Sequence, residues 1–86
     1  MQIVVGDLWT GGTRVAAGIQ ITITTTIMVA GKAPKLEGTL STTSVAVKVG
    51  DRYQFRASDG RIGDFQIFQI VPPATAHFAF LGAFER

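Results

Sequence analysis

The sequence predicts one all-β domain: a small barrel or sandwich of six to seven mainly antiparallel strands, with little or no helix. Three observations carry that prediction. The stretch GIQITITTTIMVAG alternates at period two, with Ile19, Ile21, Ile23, Thr25, Ile27 and Val29 on one parity and Gln20, Thr22, Thr24, Thr26 and Met28 on the other, the pattern of a strand with one buried face. Glycine or proline returns about every ten residues, which suits short strands joined by turns. No segment holds the period near 3.6 that an amphipathic helix requires.

The elements follow in chain order. QIVV (residues 2–5) opens as a strand, and Gly11 with Gly12 marks a turn after GDLW, since glycine accepts positive φ without steric cost. The long strand of residues 19–29 would span about 35 Å at ~3.3 Å per residue, so it is expected to bend, or to project beyond the domain and pair with a neighbour. Its Ile and Thr residues suit a pleated surface because their branched Cβ fixes χ1. AGKAP ends it, with Pro34 as the stop. KLEGTLS reads as a weak strand. SVAVKVG carries Val45, Val47 and Val49 in step, and DRYQFRA continues the phase with Tyr53, Phe55 and Ala57. Strands at 52–58 and 64–71 are joined by DGRIG, a strong hairpin signal. Between Ile67 and Phe68 the alternation slips, which predicts a β-bulge or a strand covered on both faces. A bulge bends a strand and so favours a barrel. Pro72 and Pro73 end this strand. HFAFLGAF closes the chain with Phe78, Phe80 and Phe84 on one parity.

Composition narrows the function. With 86 residues the chain is a single domain, residues 1–86, yet 47% of it is hydrophobic and only 16% charged. Small domains have much surface for their volume and need more polar covering than average, not less. The excess apolar surface points to burial against other chains, as a homo-oligomer or with other structural subunits. There is no cysteine, hence no disulfide and no thiolate chemistry. No apolar run approaches the ~18–20 residues of a membrane span, so no membrane partner is expected. MQIVVGDLW has neither a basic start nor a small-residue cleavage site, so cytoplasmic synthesis is expected.

Catalysis needs a reactive group beside a matched partner. The one histidine, His77, stands between Ala76 and Phe78 as the polar-face residue of a terminal strand, and Ser41, Ser44 and Ser58 fall in no motif. The Cys or His cluster that zinc needs is absent, and Asp59 and Asp64 lack the alternating acidic pattern of a calcium loop. GGTRVAAG lacks the ending of a phosphate-binding loop. No enzyme activity, cofactor or metal is expected. Nucleic acid is the alternative partner, through an OB- or SH3-like module for a single strand or a peptide, with Lys48, Arg52 and Arg56 as contacts. These cations share the even parity, however, while Tyr53 and Phe55 take the odd one. A stacking platform needs both on one face. The +2 net charge is too small to argue for nucleic acid by itself.

From residue 45 onward, VKVGDRYQF, the turn DGRIGD, FQIFQIVPP and HFAFLG resemble the C-terminal part of small tailed-phage head–tail joining (head-completion) proteins. The resemblance implies a small barrel that assembles into rings or clusters and carries no catalytic residues. The first 44 residues lack that family's N-terminal helical segment, which leaves capsid decoration and tail roles open as well. A virion component is therefore the expected function. The candidate interface residues are Trp9, in the turn-like context DLWTGG, where it either folds over the open end of the core or anchors a contact, a role in which tryptophan is enriched, Ile19, Ile21, Ile23, Ile27 and Val29 along the long strand, and Phe84, which poses the same choice between core and contact.

Overall fold

The computed structural model describes residues 1–28, 30–32, 34–43 and 45–86. Six strands form, β1 (Gln2–Thr10), β2 (Thr13–Ile27), β3 (Lys35–Ser41), β4 (Arg52–Ala57), β5 (Ile62–Val71) and β6 (Thr75–Phe80), and among the described residues there is no helix. They close into a barrel in the order β1-β2-β3-β6-β5-β4, every neighbouring pair antiparallel. Two three-stranded meanders thus face each other: β1 to β3, then β4 to β6.

Alternation explains most of these strands, and turn chemistry explains where they reverse. Gly11 and Gly12 take φ of 56° and 80° between β1 and β2, the pair of left-handed residues that a two-residue hairpin needs to match strand twist. Residues of β2 with odd numbers, Ile19, Ile21 and Ile23, point inward and are buried.

The interior divides by strand. β1, β2 and β3 contribute aliphatic side chains such as Leu8, Ile21 and Leu40, whereas β4, β5 and β6 contribute the rings of Phe55, Phe65, Phe78 and Phe80 together with Ala57, Ile67 and Ala76. Phe65 stacks on Phe78 with centroids 4.3 Å apart, and Phe80 meets both edge-on, the arrangements that the ring quadrupole favours. Glycine makes room for them. A Cβ on Gly38 would lie against the Thr22 carbonyl oxygen and 2.9 Å from Phe78 Cζ. Phe84 follows β6, is buried, and stacks on Phe80 at 4.6 Å, closing one end of the barrel. The opposite end is crossed by the connection from β3 to β4, which lays Val45 and Val47 against the core.

Three expectations change here. Residues 45–49 form no strand. They cross the barrel end without a neighbour to pair with, and the bonds that hold this stretch and Gly50 are local or single: Lys48 N–H donates to Asp51 Oδ2 (2.9 Å), and Gly50 N–H donates to the Ile67 carbonyl (2.8 Å). Trp9 lies within β1 and not in a turn, because β4 pairs with β1 as far as Trp9 opposite Gln54. β2 begins at Thr13, well before Ile19. The long strand does carry register shifts against both neighbours, and residues 24–27 run on past the start of β1 as an exposed arm that, among the described residues, pairs with β3 alone. The slip read at Phe68 is a shift in the ladder between Ile67 and Gln69. Phe68, the extra residue at the shift, and Gln69 both face outward, while Phe65 and Ile67 are buried before it and Ile70 packs back against the core after it.

Candidate functional site

The residues with reactive side chains stand apart or are engaged locally. His77 is half-buried on the outer face of β6, its ring 6.1 Å from that of Phe68. Ser41 Oγ shares a 2.7 Å hydrogen bond with Thr43 Oγ1. Asp59 accepts hydrogen bonds from Arg61 Nε (2.9 Å) and the Arg61 backbone N–H (3.0 Å), and these bonds hold its carboxyl below the usual range. That carboxylate closes the β4–β5 turn. Among the described residues no group of three or more metal-ligating side chains is assembled.

Barrel closure creates one polar cluster that the linear sequence does not suggest. Trp9 from β1 and Arg56 from β4 point to the same outer face, and the Arg56 guanidinium lies 4.0 Å from the centre of the Trp9 ring. Gln54 Oε1 accepts a 2.7 Å hydrogen bond from Arg56 Nε and holds the guanidinium there. Trp9 Nε1–H is buried and, among the described residues, finds no acceptor. Beside it, Trp9, Arg52, Tyr53, Gln54, Asp64 and Leu81 line part of a hollow of about 310 Å³. Acids interleave with these cations. Asp7 accepts from the Gly18 N–H (3.1 Å), satisfying the backbone where the hairpin ladder shifts, and lies 3.7 Å from Arg14. Asp51 accepts from the Lys48 N–H and from the Tyr53 hydroxyl (3.0 Å). Partial burial, then that hydrogen bond and the Asp51 charge, push the Tyr53 phenol up to about 12. Lys48, Arg52 and Arg56 are all exposed, yet they do not form a continuous basic stripe.

The larger feature is apolar. Ile3 (60% exposed) and Val5 (43%) stand on the outer face of β1, and Met28 (73%) with Ile27 marks the end of the β2–β3 arm. Phe68 (49%) and Leu81 (51%) flank a trough of about 520 Å³ above the small Ala79, bordered by Pro34 and Lys35. The candidate interface residues divide accordingly. Ile19, Ile21 and Ile23 lie inside the barrel, and Phe84 plugs its end, so none of these four presents its side chain to a partner. The single buried face of β2 is the core itself. Ile27 is exposed, Trp9 is half-buried beneath Arg56, and Val29 lies outside the described residues.

Ile3, Val5, Phe68 and Leu81 were not read as surface residues from the sequence. For Ile3 and Val5 the run of three apolar residues in QIVV conceals the face. For Phe68 the broken parity after Ile67 was the available signal. The fold and these surfaces define the chain as a closed six-stranded antiparallel barrel with several large apolar side chains exposed on its outer face. No family model, curated protein or solved structure matches it.

Proposed function

We propose that this chain is a non-enzymatic structural module that works through subunit interfaces, as a component of a tailed-phage virion: a head–tail joint, a capsid decoration or a tail part. One observation carries the reading. The core is complete within one chain, with Phe and Ile side chains fully enclosed, and large apolar side chains still stand in solvent on the arm, on β1 and around the Phe68 trough. A monomeric protein gains nothing by exposing such side chains in clusters, whereas an assembling one covers them in its contacts. The virion setting rests on the likeness of residues 45–86 to head–tail joining proteins. Light scattering on the purified chain tests the assembly reading. Association that rises with concentration is the expected result, and a monomer at the highest soluble concentration would sink it.

A second reading, a binding module for single-stranded nucleic acid, gains support from the Trp9 and Arg56 pair, since a ring and a cation do share one face of β1 and β4. The interleaved Asp7, Asp51 and Asp64 weigh against it, because phosphate binding draws its affinity from clustered cations. A gel shift with single-stranded DNA decides. Retention that weakens with salt and disappears in Arg52→Ala and Arg56→Ala favours the module.

A further inference from the structure

The β2–β3 arm ends in apolar side chains and carries basic charge. Ile27 (39% exposed) and Met28 (73%) stand at its end. Residues 24–36 include Lys32 and Lys35 and no acid. Beside the base of the arm lies the trough of about 520 Å³, floored by Ala79 and walled by Phe68 and Leu81. Its border is acidic on two sides. Glu37 is opposite Ala79 in the β3–β6 ladder. Asp64 is exposed on β5, two residues before Gln66, which lines the trough. Among the described residues neither carboxylate is in an ion pair; the paired acids are Asp7 and Asp59. The arm does not fill the trough of its own barrel. Ile27 is opposite Lys35 in the β2–β3 ladder, and Lys35 with Pro34 borders the trough, so β3 lies between the two.

We propose that the arm tip of one copy, Ile27 and Met28, seats in the trough between Phe68 and Leu81 of a second copy, and that a two-fold axis makes this contact twice. The proposal rests on the assembly reading above and names its contact. Knob and trough match in chemistry. Apolar side chains meet at the centre, where an interface is driest. Around them the basic arm faces the border of Glu37 and Asp64, so opposite charges meet at the rim and favour this pairing over others. They also match in position. Lys35 belongs to both elements, since it pairs with Ile27 and lines the trough, so arm and trough share one end and one side of the barrel. Two copies facing each other there exchange arms, and the pair closes with no arm or trough left over. Each knob covers only part of the ~800 Å² per partner of a standard interface, so the dimer is expected to dissociate on dilution.

Sedimentation velocity across a concentration series tests this, with the wild-type chain, Met28→Asp, Ala79→Arg and Val15→Lys, each checked for a cooperative thermal melt. Met28→Asp puts an acid on the knob, against Glu37 and Asp64. Ala79→Arg fills the trough and sets a cation against the basic arm. Val15 is exposed on the far part of β2 and serves as the control. The wild-type chain and Val15→Lys are expected to show a monomer–dimer equilibrium. Met28→Asp and Ala79→Arg are each expected to weaken it at least ~10-fold, the equivalent of ~1.4 kcal/mol. An equal mixture of these two variants is expected to dimerise again. One contact of the mixed pair is then wild-type on both sides, and the other sets the new Asp against the new Arg. Should Ala79→Arg fail to fold, Phe68→Arg takes its place, because that ring stands half in solvent in the single chain. Dimers as tight in both variants as in the wild type, equal weakening by Val15→Lys, or a mixture that stays monomeric would overturn this contact and leave the assembly reading standing. A wild-type monomer at every concentration would overturn both.

Discussion

The guanidinium of Arg56 lies over the ring of Trp9 at 4.0 Å, joining β4 to β1 where the barrel closes. Trp9 is the sole tryptophan of the chain, so its emission reports on this contact directly. Arg56→Ala uncovers the ring and is expected to shift the emission to longer wavelength while lowering stability by about 0.5–1 kcal/mol, the range for a partly exposed cation–π pair. Fluorescence spectra and urea midpoints of the two proteins check both effects. Unchanged emission would mean that the guanidinium does not rest on the ring in solution.

Two glycines are expected to be far less tolerant than their neighbours. A Cβ on Gly6 would lie against the Arg56 carbonyl oxygen and 2.7 Å from Ala57 Cα, and backbone cannot step aside. Gly38 faces the Thr22 carbonyl and the Phe78 ring. Gly38→Ala is expected to cost roughly 1–3 kcal/mol, as overpacking does, and Gly6→Ala at least as much, because the strain falls on the seam between β1 and β4. Gly82→Ala serves as the control, since nothing lies within 4 Å of the added methyl. Chemical denaturation ranks the three.

Tyr53 gives a pH signature. Its phenol is raised to about 12 by partial burial and by its hydrogen bond to Asp51, whereas an unfolded chain titrates near ~10. A folded-state value above the unfolded one contributes stability that is complete below pH ~10 and is lost as pH rises toward ~12. Stability should therefore fall across that window, and Tyr53→Phe should remove this part of the slope. With a single tyrosine in the chain, absorbance at a phenolate wavelength follows the titration. A midpoint at the ordinary tyrosine value would refute the Asp51 contact.

Phe84 and Phe68 separate core from surface. Phe84 is buried against Phe80 and Phe55, and Phe68 stands half in solvent. Phe84→Ala is expected to lower stability by about 3 kcal/mol, the lower end for a buried ring because the tail can partly collapse. Phe68→Ser should change it by less than ~0.5 kcal/mol, as surface substitutions usually do. Thermal melts of both variants test the distinction, and equal losses would contradict it.

The chain's local patterning determined much of this protein. The alternation of Ile19, Ile21 and Ile23 fixed which face of β2 is buried. Gly11 with Gly12 and Asp59 with Gly60 set two hairpins, and the broken parity at Phe68 announced the shift in β5. These features follow from side-chain period and backbone freedom, which act over a few residues. Only the tertiary structure decided the rest. Val45, Val47 and Val49 alternate as a strand does, yet a ladder requires a neighbour, and the path from β3 to β4 across the barrel end provides none. Trp9 and Arg56 lie far apart along the chain and meet because β4 pairs with β1. The apolar residues counted in the composition could be core or contact. Closure of the barrel filled its interior with Ile19, Ile21, Ile23 and Phe84 and left Ile3, Val5 and Phe68 outside, since a cylinder of six strands has room for one inward side chain at every second position and for no more.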